Sequence, residues 1–416
     1  MQKRRLKNTT EMNGEKAFLL TEDGTVFPGR SFGAPAPRAE ELENPEFRRT
    51  LIGENRAAGE VMFNTAMCGY YEALTDPSYT GQIITLTYPL AGNYGCREDW
   101  SETLTPARRP GRLVKSAGLV VRSLYDGWVP PGRITLSRFL AENGVPGLTE
   151  ADTRALTLKI REEGMPRGLL LRPSRPGENL GEGEKALALD FLRAFPLMSG
   201  RSLAPSQAVG EAVDYPSQGG PRLVLVDCGL KENILRRLLE SGCGVSVLPP
   251  GAGAAEILAH KPQGVFFSNG PGDPAALTGL IKTAADLLGR IPLFGVCLGH
   301  QILALAAGGR TEKMKFGHHG VNNPVREEST GRVYVTSQNH GFMTAAEGLP
   351  PDTRIWFRNA NDKTVEGLRN PRLRFACIQF HPEAAPGPRD TYWIFQEFLS
   401  MAQEGKPSAG EACHAS

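Results

Sequence analysis

Cys297 lies between two glycines in Gly295-Val296-Cys297-Leu298-Gly299-His300-Gln301, where an apolar run ends and a helical stretch begins. Gly-x-Cys-x-Gly between strand and helix is the form of a nucleophile elbow, with sulfur in place of a hydroxyl. Such a turn is tight, and side chains flanking it would collide with the neighbouring strand and helix. The helix N-terminus that follows offers unpaired N–H groups that favour negative charge and can bind a developing oxyanion. The alternative reading is a buried cysteine beside packing glycines.

Thiolate catalysis also needs a base and a group to orient it. Gln379-Phe380-His381-Pro382-Glu383 supplies both at the end of a late apolar run. His381 and Glu383 are two apart, so both can approach one side of a strand end, and the carboxylate can fix the imidazole tautomer. Ser268-Asn269-Gly270-Pro271-Gly272-Asp273-Pro274 also follows a strand-like run. It does not fit the P-loop pattern, so it reads as a structural turn or as a source of backbone donors to a substrate carbonyl. Gln338-Asn339-His340-Gly341-Phe342 reads as a polar turn suited to an amide or α-amino acid. His318 and His319 adjoin, but adjacent residues in a strand point apart and no acidic residue or Cys stands at ligand spacing, so no metal site is expected.

The elements that must hold these residues alternate. Leu223 to Val226, Val245 to Leu248, Gly264 to Ser268 and Pro292 to Val296 read as buried strands. Between them Leu230 to Leu239, Ala254 to His260 and Ala276 to Leu288 read as helices. That alternation predicts parallel βαβ units, with sites beyond the C-terminal strand ends. Further strands are expected at Val333–Val335, Arg354–Phe357 and Phe375–Phe380, with a last helix from Tyr392 to Met401. Earlier, Ala17–Leu20 and Val26–Phe27 flank a hairpin turn, and Leu136–Glu142 and Glu150–Glu163 read as helices. Residues 34–58 are charged and read as a surface loop or insertion, and 198–221 are rich in Gly, Pro and Ser and mark a boundary.

The chain has 416 residues with a formal net charge of +2, so a global electrostatic case for nucleic acid is absent. The basic start, Lys3-Arg4-Arg5 with Lys7, reads as a solvated tail; no apolar stretch follows it as a secretory signal would need. No uninterrupted apolar run is long enough for a membrane span. Seven scattered cysteines without a C-x-x-C point to a reducing, cytoplasmic setting. The 48 glycines and 32 prolines, about 19% of the chain, exceed the average of ~12%. Several of them fall in the motifs above and others in the stretches 34–58 and 198–221, so the count mixes site with spacer.

Together the Cys297 and His381-Pro382-Glu383 elements resemble class I (triad-type) glutamine amidotransferases over about residues 221–400. Alone they would also fit GMP synthetase or anthranilate synthase component II. Gly59-Glu60-Val61-Met62-Phe63-Asn64-Thr65, Leu74-Thr75-Asp76-Pro77-Ser78-Tyr79, Gly92-Asn93-Tyr94-Gly95 and Asp152-Thr153-Arg154-Ala155 resemble the N-terminal domain of the carbamoyl-phosphate synthetase small-chain family. Lys313 to Gly320 and Gln338 to Phe342 fit the same family.

The resemblance implies an α/β protein: a class I amidotransferase domain with a mostly parallel open sheet and flanking helices, plus a mixed, β-rich α/β N-terminal domain. The expected boundaries are a tail at 1–15, a first domain at 16–197 with the insertion 34–58, a linker at 198–220, a second domain at 221–402 and a tail at 403–416. It implies a glutaminase with Cys297 as nucleophile, His381 as base and Glu383 as its orienter. Glutamine contacts carry over to Ser78, Gly270, Gly272, Leu298, Gln301, Asn339, Gly341 and Phe342, with the oxyanion donors at Leu298 and in the Gly270–Gly272 loop. Because Ser78 lies in the first domain, the site is expected between domains. The implied partner is a large synthetase chain in a heterodimer. That chain takes the ammonia through a tunnel and, with bicarbonate and two ATP, makes carbamoyl phosphate for arginine and pyrimidine synthesis. ATP and Mg are expected on the partner, and no cofactor on this chain. The charged stretch 34–58, Gly127–Gly132 and Thr149-Glu150-Ala151 depart from the family pattern, and none of them touches the triad.

Overall fold

The apolar runs that alternate with helices after residue 221 form the middle of a single sheet in the computed structural model of this chain, which describes residues 14–103 and 111–404. The basic start and most of the C-terminal tail lie outside the described residues. The chain divides into two compact units. One holds the described residues up to Phe63 together with Gln82–Trp100 and Ser116–Phe195. The other holds Asn64–Gly81, the described part of Ser101–Lys115, and the described chain from Pro196 on. Ser78 therefore belongs to the same unit as Cys297.

The first unit is built on a closed seven-stranded barrel. Its opening hairpin pairs Lys16–Thr21 with Val26–Gly33, as the turn residues Glu22 to Thr25 predict. The helices Leu136–Glu142 and Thr153–Glu163 also form, and Asp152 caps the second by accepting from the Ala155 N–H. Residues 34–58 are more ordered than a charged loop: a 3-10 turn at Ala39–Glu43 leads into a helix at Pro45–Glu54. Leu42 and Leu51 are fully buried there. Too few apolar residues punctuate the charges to show a helical period, yet these two suffice to dock the helix.

The second unit carries a ten-stranded sheet. Five strands at its centre run parallel, in the spatial order Gly244–Leu248, Arg222–Val226, Gly264–Phe267, Leu293–Val296 and Phe375–Ile378. Both faces are covered. Leu223, Leu225, Phe266, Phe294, Ala376 and Ile378 pack on one side with Ile234, Leu238, Phe395 and Phe398 from the helices Glu232–Glu240 and Trp393–Glu404. The alternate residues Val224, Val226, Val265, Phe267, Leu293 and Cys377 pack on the other with Ile257, Leu280, Ala284 and Ile302 from Ala254–Ala259, Thr278–Leu287 and Leu298–Ala306. Burial on both faces is why these strands read as unbroken apolar runs. Val213–Tyr215, inside the stretch expected as linker, adds an antiparallel edge strand.

The remaining strands are antiparallel, and here the structure departs from the sequence reading. Gln338–Phe342 is not a turn but the centre of the strand Val333–Thr344, paired along its length with Thr311–Glu327. Polar residues hide this pairing: His319 stands opposite Asn339, with Nδ1 3.0 Å from its Oδ1, and His318 stands opposite His340. Register shifts between Lys313 and His318 and between Gly320 and Asn323 break the alternation further. Among the described residues no helix is long and apolar enough to cross a membrane.

Candidate active site

The central parallel strand Leu293–Val296 delivers Cys297 to its C-terminal end, and the helix Leu298–Ala306 begins at once. Cys297 takes φ 54° and ψ −104°, a backbone conformation that costs a non-glycine residue about 1–3 kcal/mol. Its N–H donates to Ile378 O at 2.9 Å, and its C=O accepts from Gln301 N–H at 3.2 Å, so strand and helix both hold the turn. The flanking glycines are required by close approach. A Cβ at Gly295 would lie 2.5 Å from the Gly299 backbone, and one at Gly299 2.1 Å from Phe267 O. The thiol is 3% exposed and lies 3.6 Å from Asn339 O.

The neighbouring parallel strand, Phe375–Ile378, carries the chain to His381. The His381 N–H donates to Ser337 O at 2.9 Å, which pins the loop to the antiparallel half of the sheet. His381 Nδ1 and Glu383 Oε1 are 2.6 Å apart, with both side chains fully buried. His381 Nε2 makes no hydrogen bond, and Cys297 is close enough to help raise the imidazole pKa. Burial alone would depress the imidazole pKa. Glu383, with the neighbouring Cys297, outweighs it and pushes the value up to about 10, which favours the imidazolium at neutral pH. Burial would raise the Glu383 pKa, but Lys231 and His381 hold it down at about 2.

Lys231 is the member that spacing did not reveal. It is 1% exposed, and its Nζ lies 3.0 Å from Glu383 Oε1 and donates to Ala384 O at 2.6 Å. Asn233 Nδ2 donates to the Glu383 backbone carbonyl. Burial would strip the Lys231 proton, but Glu383, Asp76 and Glu102 hold it on and raise the pKa. The available signal was positional: Lys231 follows the C-terminal end of the strand Arg222–Val226, the side of the sheet where Cys297 and His381 also emerge.

The other expected residues fall in this same unit. Ser78 Oγ accepts from Asn269 Nδ2 at 2.9 Å, tying the segment 64–81 to the Ser268–Pro274 loop. Gly270 in that loop lies against Cys228 O and the Leu298 side chain. Gly272, with φ +99°, lies against Arg201 O. Leu298 is the first residue of the helix after Cys297. Gln301 Nε2 donates to Phe342 O at 2.8 Å and to Gln379 Oε1 at 2.9 Å. Asn339 is held by Asp76 Oδ2, which accepts from its Nδ2 at 3.1 Å, and by His319 Nδ1, 3.0 Å from its Oδ1. Gly341 and Phe342 continue the same strand, and the Phe342 ring packs with Met198 and Leu203. A small cavity beside His381 is lined by Asp76, Tyr79, Lys231, Gln338, Asn339 and other residues of this unit.

A buried thiol beside an imidazole that a carboxylate fixes has the chemistry for a nucleophilic relay. The helix N-terminus at Leu298 adds preorganised donors for an oxyanion.

A family model described as carbamoyl-phosphate synthase small chain, CPSase domain, matches residues 19–170, and one described as glutamine amidotransferase class-I matches 224–401. The chain is 44% identical over 392 residues to the carbamoyl phosphate synthase small chain of Methanopyrus kandleri, covering 94% of this chain and 99% of that protein. It is 43% identical over 397 residues to the protein of that name from Symbiobacterium thermophilum, covering 94% and 100%. It is 42% identical over 403 residues to the one from Bacillus caldolyticus, covering 96% and 100%.

Proposed function

Because this chain belongs to the carbamoyl phosphate synthase small chain family, we propose that it hydrolyses L-glutamine at Cys297 and passes the ammonia to a large synthetase chain. The observation that carries this reading is the convergence of Cys297, His381 and Glu383 at adjacent parallel strand ends, with Lys231 securing the carboxylate.

The Cys297 thiolate attacks the glutamine side-chain carbonyl, and the oxyanion is held by backbone N–H groups at Leu298 and in the Gly270–Gly272 loop. The His381 imidazolium gives its proton to the leaving nitrogen, so ammonia departs and a thioester remains. Neutral His381 then takes a proton from water as it attacks the thioester. Glutamate leaves and the starting pair is restored. Glu383 keeps the proton-carrying ring in one tautomer and stabilises its charged form. Ser78, Gln301, Asn339, Gly341 and Phe342 hold the substrate's amino-acid end and chain. The burial of Cys297, His381 and Asn339 supports release of ammonia away from bulk water, where it would become ammonium and lose its nucleophilicity.

In this reading the partner uses bicarbonate and two ATP to make carbamoyl phosphate for arginine and pyrimidine synthesis. ATP and Mg bind there, and this chain needs no cofactor. A glutamine-mimicking electrophile tests the reading: mass spectrometry should find Cys297 labelled, with glutamine protecting it. Labelling of another cysteine at equal rate, or no protection by glutamine, would contradict it.

A further inference from the structure

Three strands bring His318, His340 and Glu366 together, with donor atoms all within 4.8 Å of one another. His318 lies on Thr311–Glu327 directly opposite His340 on Val333–Thr344, and Glu366 lies on Val365–Asn370. From this cluster we infer a binding site for one zinc-class divalent ion, with His318 Nδ1, His340 Nε2 and Glu366 Oε1 as ligands.

Glu366 Oε1 lies 3.3 Å from His318 Nδ1 and 3.9 Å from His340 Nε2. Ligands about 2.0–2.2 Å from a tetrahedral zinc ion stand about 3.4 Å from each other, so small side-chain rotations close the cluster on an ion. Each ligand is also oriented from behind. His318 Nε2 lies 2.8 Å from the Asp362 carboxylate, and His340 Nδ1 lies 2.8 Å from Phe342 O. Glu366 Oε2 accepts from Gln338 Nε2 at 2.9 Å. A carboxylate or carbonyl on the far nitrogen of each imidazole is the outer-shell pattern that fixes the tautomer of a metal-ligating histidine. The contacts competing for the inner atoms are long: Asn359 Nδ2 to His318 Nδ1 and Thr364 Oγ1 to Glu366 Oε1, both 3.5 Å.

His340 Nε2 decides between a metal and a plain ion pair. A protonated His318 between Asp362 and Glu366 would satisfy those three groups. It would still leave His340 Nε2, on a side chain 2% exposed, without a partner. An ion supplies that partner. Two imidazoles and one carboxylate suit Zn²⁺, and a fourth position stays open to water. His340 sits between Asn339 and Gly341, so the ion would brace the strand proposed to hold glutamine and take no part in the reaction.

The test is equilibrium dialysis of the chelator-stripped full chain against Zn²⁺ and Co²⁺. One ion per chain is expected, and the Co²⁺ form should show tetrahedral d–d bands without thiolate-to-cobalt charge transfer. Glu366→Gln should abolish stoichiometric uptake, and Asp362→Asn should weaken it about 10–100-fold. Cys297→Ser should bind as the unaltered chain does, which separates this site from the catalytic thiol. No stoichiometric uptake by the unaltered chain would overturn the inference. So would binding that vanishes in Cys297→Ser but survives in Glu366→Gln.

Discussion

Lys231 places a full positive charge where no water reaches, beside an equally buried carboxylate. Breaking a buried pair leaves an uncompensated charge and costs about 3–5 kcal/mol. Lys231→Met is therefore expected to lower the unfolding free energy by about that amount in urea titrations, and to cut kcat for glutamine hydrolysis. Glu383→Gln tests the partner on the other side. Without that anion the His381 pKa falls from about 10, so the alkaline limb of the kcat/KM profile should move to lower pH. An unmoved limb would show that Glu383 does not set the His381 charge. The elbow at Cys297 and the two-residue step from His381 to Glu383 stand out in the sequence because each is a local pattern. Lys231, Asn233 and Asp76 were not legible as supports of the site, because only the fold brings them to Glu383 and Asn339 from distant segments.

The elbow between Leu293–Val296 and Leu298–Ala306 depends on helix and strand meeting without a side chain between them. Gly299→Ala puts a methyl 2.1 Å from a backbone oxygen. Overpacking of this kind costs about 1–3 kcal/mol, and the helix must shift to relieve it. Lower thermal stability together with a large loss of kcat is expected. Gly53→Ala is the contrast, since Gly53 is in the helix Pro45–Glu54 with nothing within 4 Å of a new Cβ. That change should stabilise the protein by about 0.5–1 kcal/mol. At this scale the parallel strands and their helices could be read from the sequence, since burial on both faces writes itself as apolar runs. The long pair Thr311–Glu327 and Val333–Thr344 was legible only at Val333–Val335, because polar side chains fill its middle and register shifts hide the period.

Over the whole molecule, stability is tied to pH through groups held in one charge state. His300 is fully buried, with Nδ1 3.2 Å from Cys377 Sγ and Nε2 3.0 Å from Thr344 Oγ1. Burial depresses its pKa to about 3, against a slight opposing effect at Cys377. The unfolded chain takes up this proton near pH 6.5 and the folded chain does not. Stability present above that pH is therefore lost as pH falls toward 3, at up to about 1.4 kcal/mol per unit. Urea midpoints measured from pH 7 to pH 4 should fall accordingly, and His300→Gln should flatten that slope. The chain passes more than once between its two units, and the segment with Asp76 and Ser78 joins the unit of Cys297. Sequence order alone places that segment among residues of the first unit, which is why the site was expected between domains. The central claim is that Cys297 releases the ammonia a large synthetase chain consumes. It is tested most directly by measuring carbamoyl phosphate formation in the complex with that chain, with the Cys297→Ala variant supplied first with glutamine and then with ammonium. No product is expected from glutamine, and undiminished product from ammonium. Glutamine-dependent product from that variant would contradict it.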